Sequence, residues 1–174
     1  MIVERCDHYT KLTALLLGDC YPSHMEDLVL EALSRLAKLH GHAPYGVVFS
    51  WNPLERTGGG YAPKHDVIYV NLAHLRTSRD VVFVISHEYA HLLQQRKHGV
   101  EAMVKSATNM GKLSEGKDVE AAFYAYLQTD TEKEADAFAF AFEDSFHYAN
   151  QVLNRRPLVS FFVSRKHSIA FAPK

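Results

Sequence analysis

Between Ser23 and Leu39, apolar residues return at near-helical spacing, at Met25, Leu28, Leu30, Ala32, Leu33, Leu36 and Leu39, and the run stops at Gly41. Ser23-His-Met-Glu26 at its head has the form of a capping box, so the pattern predicts a helix over 23–40. The period then changes. Tyr45–Trp51 and Asp66–Asn71 are short, alternating, β-branched runs that predict two strands of a small sheet, parted by the turn signal Gly58-Gly59-Gly60. A long segment opens at Ser78-Arg-Asp80 and meets no Gly or Pro before Gly99. Its inner run, Val81–Ile85, has no period of its own and fits a buried strand, but the length of the segment and its flanking caps decide for a helix. After Gly111 and Gly116 a helical pattern resumes over 118–127. Thr129 or Thr131 opens a further helix reaching about Asn154, with Thr129-x-x-Glu132 and Thr131-x-x-Glu134 both shaped as capping boxes. Pro157 ends it, and the tail, Leu158–Phe171, is of strand or irregular type.

With 174 residues and no linker or repeat, the expected organisation is a single domain over 1–174. The element order suits an α+β class in which a small antiparallel or mixed sheet packs against the long central helix and a later one. A net charge of -1 supplies no general field for nucleic acid, which is therefore not the expected partner; Arg155, Arg156, Arg165 and Lys166 read as solvated surface. Cys6 and Cys20 are too few for a disulfide framework and too far apart for a metal knuckle. Charges at Glu4, Arg5 and Asp7 argue against a secretory signal, and Leu12–Leu17 is too short to span a membrane. These features make the cytoplasm the expected compartment, with no membrane partner.

The chemistry concentrates in His87-Glu-Tyr-Ala-His91, an HExxH string inside the predicted central helix. Residues four apart on a helix share a face one turn apart, so two imidazoles can meet one ion. Glu88 lies beside them, in reach of a water at that ion and poorly placed to ligate. Zinc at such a site acidifies water and polarises a carbonyl, while the carboxylate accepts the proton and hands it to the leaving amine. With 11 histidines in the chain, chance alone supplies such a string about 0.04 times, so context must carry the assignment.

Catalytic zinc holds three side chains and leaves a fourth position for water. His98 returns to the face of His87, but roughly 10 Å beyond His91, which one ion cannot span; where HExxHxxGxxH breaks its helix at Gly, this chain has Gln94. The acidic residues of Thr131-Glu-Lys-Glu-Ala-Asp-Ala-Phe-Ala139 fit better. Glu132 and Asp136 share a face, so Glu132 can ligate while Asp136 accepts a hydrogen bond from a ligand histidine and sets its tautomer. Phe138, Phe142 and Phe146 would bury the neighbouring stripe. In an isolated helix Glu132 and Glu134 would read as first-turn acids that favour the dipole.

HEYAH together with EKEADAFA resembles the gluzincin metallopeptidases, and in particular the ExxA(D/N)xFA pattern of the ImmA/IrrE family. The stretch GGGYAPKHDVIYVN is similar to that family's strand pair, and the resemblance covers about residues 45–145. It implies a minimal zincin-like fold and a cytosolic zinc endopeptidase, often one that cleaves a transcriptional repressor. His87 and His91 match the zinc histidines, Glu88 the general base, Glu132 the third ligand and Asp136 the acid beside the site. Glu134 is the alternative ligand. The chain departs from the pattern in the long insert between His91 and Glu132 and in Phe-Ala-Phe-Glu-Asp after the motif.

A donor for the oxyanion is also needed, and Tyr124, Tyr126, His147, Tyr148 and His167 are the candidates. Strand Val67–Asn71 could offer a free edge to an extended protein or peptide substrate, or equally be an ordinary buried strand. Two other classes stay open: a peptidase-derived metal-binding interaction module without hydrolysis, and a zinc protease recruited to DNA.

Overall fold

In the computed structural model, which describes residues 1–5, 23–54, 57–104 and 119–146, helix α1 (Ser23–His40) buries Met25, Val29, Ala32, Leu33 and Leu36. That stripe at i, i+4, i+7, i+8 and i+11 is the period of a helix with one face on a core. It includes Val29, absent from the predicted set, and leaves Leu39 at 69% exposure in the last turn. Gly41, at φ +73°, ends the helix where the expectation placed the stop, its N–H bonded to the Ala37 carbonyl.

Four strands form a mixed sheet: β1 (Ile2–Arg5), β2 (Gly46–Ser50), β3 (Gly59–Ala62) and β4 (Val67–Asn71), in the order β1-β2-β4-β3. The molecule is α+β. Both strands expected from alternation are present, with Val47, Phe49, Ile68 and Val70 on the buried face. Their pairing is parallel, because β3 takes the return stroke outside β4 and brings the chain back in the direction of β2. Two expectations are corrected here. The glycine-rich segment, read as a turn, contributes strand β3, and β4 is paired on both sides by β2 and β3. Among the described residues the outer strands are β1 and β3, not Val67–Asn71. Strand β1 was not foreseen; four residues, with Ile2 and Val3 both exposed, carry too little alternation to signal it.

Asp66, at φ +54°, closes the β3–β4 hairpin. Its carboxylate bonds to the Tyr61 hydroxyl at 2.8 Å and to Arg96 at 2.7 Å, and that hydroxyl also meets the Gln95 side chain. The hairpin is thereby fastened to helix α2 (Ser78–His98). This helix starts from a full capping box, Thr77 with Asp80, one residue ahead of the expected opening, and ends before Gly99 as expected. Being packed on several sides, it lacks a single apolar stripe: Val81, Val82, Ile85, Tyr89 and Leu92 join the sheet and α1 in one core. The Tyr89 hydroxyl donates toward the His42 carbonyl at 2.5 Å and the Leu36 carbonyl at 3.2 Å, locking α2 to the end of α1.

Helix α3 (Val119–Leu127) matches the resumed helical pattern. Helix α4 (Asp130–Ser145) packs along α2, with Phe142 and Phe146 buried and Phe138 at the margin of the core. Arg79 at the head of α2 grips the buried Glu143 carboxylate through two guanidinium nitrogens. The helix ends at Ser145 rather than near Asn154. Phe146 leaves helical geometry at ψ 111° and seats its ring in the core beneath Arg35, whose guanidinium carbon lies 4.4 Å from the ring centre. The expected Thr129 capping box is also absent: Thr129 is the cap by backbone but its side chain makes no capping hydrogen bond, and the Glu132 carboxylate, which would supply the other half of the box, is turned toward α2. No described helix is long and apolar enough to cross a membrane. Cys6, Cys20, Leu12–Leu17, Gly111, Gly116, Pro157, the tail and the basic cluster at 155–166 lie outside the described residues.

Candidate metal centre

Because α2 and α4 lie side by side, His87 and His91 on one face of α2 meet Glu132 in the first turn of α4. His87 Nε2 lies 3.2 Å from one Glu132 carboxylate oxygen, His91 Nε2 lies 3.3 Å from the other, and the two Nε2 atoms are 3.1 Å apart. All three residues are buried. Two neutral imidazoles and a carboxylate are a donor set that zinc accepts, and bonds near 2.1 Å in a tetrahedral shell would separate donors by about 3.4 Å. The spacing fits. Glu132 Oε1 is moreover buried with no hydrogen-bond partner, an arrangement that a cation would satisfy. This group could hold a metal ion, and it is the one such group among the described residues.

The surroundings set the charge states. Asp136, one turn beyond Glu132, receives the His87 Nδ1 proton at 2.9 Å, as the spacing predicted. Burial opposes protonation of His87, but its hydrogen bonds to Asp136 and Glu132, with the charges of Glu88 and Glu132, outweigh that and push its pKa up to about 10. The same balance, burial against Glu132 and Glu88, raises His91. Glu132 goes the other way: burial favours its neutral form, yet the two histidines hold its carboxyl well below the ordinary range. In the metal-free protein, protons on the imidazoles thus compensate the carboxylate.

Glu88 is buried beside this group without belonging to it. Its pKa is raised by burial, with the Glu132 charge adding to the rise and the two histidines opposing it. Glu88 is thus a carboxylate easier to protonate than usual, close to both imidazoles.

The remaining expected residues separate cleanly. Tyr126 is partly buried at the end of α3; burial, then the charges of Glu132 and Glu88, keep it protonated. Tyr124 is exposed, and His147, Tyr148 and His167 lie outside the described residues. Glu134, the alternative ligand, is exposed and turned from the centre, with its Oε2 3.4 Å from Gln94 Nε2. His98 is the exposed last residue of α2.

Two neighbours escaped the sequence reading. Gln94 bonds His91 Nδ1 at 2.8 Å and the Thr131 carbonyl at 2.9 Å; its i+3 spacing from His91 was the available signal. Gly59 of β3 runs close against Glu88, a contact that no local pattern announces. No family model, curated protein or solved structure matches this chain.

Proposed function

We propose that this chain is a zinc-dependent endopeptidase of the gluzincin kind, similar to the ImmA/IrrE family, that works in the cytoplasm on a protein or peptide substrate. The observation that supports it is the convergence of His87, His91 and Glu132 at 3.1–3.3 Å with Glu88 buried alongside. A zinc ion held by the three would acidify water and polarise the scissile carbonyl. Glu88 takes the proton from the attacking water and passes it to the departing amine. Tyr126, a donor over the whole working range, is the candidate to hydrogen-bond the developing oxyanion. Strand β3, paired only with β4 among the described residues and running past Glu88, would receive the substrate as an added strand.

Metal content and hydrolysis, measured on the same preparations, test this reading. Wild-type protein should bind about one equivalent of zinc, lost in His91→Ala and Glu132→Ala, and should cleave a mixed peptide library. Glu88→Gln should keep the zinc and lose at least about 10²-fold in kcat, the size of a general-base contribution. Cleavage that survives Glu88→Gln would rule out the mechanism, and zinc without cleavage in the wild type would leave a binding module.

A further inference from the structure

For His91 to serve the proposed centre, its Nε2 must carry a lone pair and its ring must stay turned toward Glu132. Gln94 accounts for both. An amide side chain has one accepting oxygen and one donating nitrogen. The Thr131 carbonyl can only accept, so the atom 2.9 Å from it is Gln94 Nε2. The other end, Oε1, then faces His91 Nδ1 at 2.8 Å, and Nδ1 must supply the proton. A neutral His91 in this arrangement has its free pair on Nε2, 3.3 Å from Glu132 Oε1.

We infer that Gln94 is a positioning residue for the metal centre, setting the tautomer and plane of His91 and tying that ring to the backbone beside Glu132. Thr131 immediately precedes Glu132, so one buried side chain spans the two helices whose alignment creates the site. Asp136 performs the corresponding task for His87 from the α4 side.

This inference rests on the three residues being metal ligands, and its test keeps the two claims apart. Gln94→Met preserves length and removes the hydrogen bonds to His91, Thr131 and Glu134; Gln94→Glu keeps an acceptor for Nδ1 but loses the amide donor to Thr131 and Glu134. Zinc affinity is measured by competition with a chromogenic chelator, the His91 tautomer by long-range nitrogen-proton spectra of the zinc-loaded protein, and folding by thermal unfolding in EDTA. Gln94→Met should bind zinc about 10–100-fold more weakly than wild type, and Gln94→Glu should recover most of that loss with Nδ1 still protonated. Zinc binding by Gln94→Met within twofold of wild type, with the tautomer unchanged, overturns the proposal. Equal losses in both variants would assign the effect to helix packing and overturn the tautomer role. A wild-type protein that takes up no zinc would instead sink the metal reading itself, and this inference with it.

Discussion

A Cβ added to Gly59 would stand 3.2 Å from Glu88 Cγ and 3.3 Å from its Oε1, while meeting Val84 Cγ1 at 2.7 Å. The outer strand of the sheet therefore touches the proposed base through bare backbone. Val84 is β-branched on a helix and has almost no rotamer freedom with which to yield, so the strand or Glu88 must move. Gly59→Ala should cost about 1–3 kcal/mol of stability from overpacking. It should also lower kcat by up to about 10²-fold, the effect of misplacing a reacting group by an ångström, with zinc stoichiometry intact. Unchanged kcat in a folded variant would show that the β3 backbone does not hold Glu88.

Tyr126→Phe removes a hydroxyl held protonated by burial and by the charges of Glu132 and Glu88, and leaves the ring. The expected result is a loss of about 10²–10³-fold in kcat, the size of one lost oxyanion donor, at a zinc affinity within a few-fold of wild type. A large loss of zinc with no change in the kcat of loaded enzyme would assign the hydroxyl to ligand support instead.

The metal-free protein should show a defined pH dependence. The His87 pKa is raised from 6.5 to about 10, so the stability gained from its partners is complete below about pH 6.5 and disappears as pH rises through 10. Asp136→Ala removes one of those partners. The difference in melting temperature between wild type and variant, in EDTA, should be largest near pH 6 and shrink toward pH 10; a difference that grows over this interval contradicts the assignment. Since zinc must displace the same protons, wild-type zinc affinity should climb across the interval.

Tyr89 lies inside the HExxH string but faces away from its chemistry, with its hydroxyl on the His42 and Leu36 carbonyls. Tyr89→Phe should leave zinc affinity unchanged while costing about 0.5–1.5 kcal/mol, because the Leu36 and His42 carbonyls lose a hydrogen-bond donor. Chemical denaturation beside a zinc titration separates the two effects.

How far local pattern reached can be judged residue by residue. His87, Glu88 and His91 were legible because a helix converts four-residue spacing into one face, and Asp136 because it repeats that spacing from Glu132. The helices over 23–40 and 78–98 followed from capping signals and glycine stops. The Thr129 box failed for an instructive reason: Glu132 cannot both cap its own helix and face His87 and His91, and the tertiary contact wins. Gln94 looked like an ordinary polar helix residue until α4 supplied the Thr131 carbonyl.

What the amino-acid order settled by itself is short-range: the four helices and strands β2 and β4, the pairing of two imidazoles on one turn, and the spacing of Glu132 and Asp136 within another helix. Bringing Glu132 within 3.3 Å of both imidazoles, placing β3 rather than β4 at the sheet edge, and seating Gly59 against Glu88 all required the packed chain. The division follows from reach. Backbone periodicity relates residues a few positions apart, whereas a site drawn from α2, α4 and β3 depends on how their apolar faces are buried together, and that is a property of the whole core.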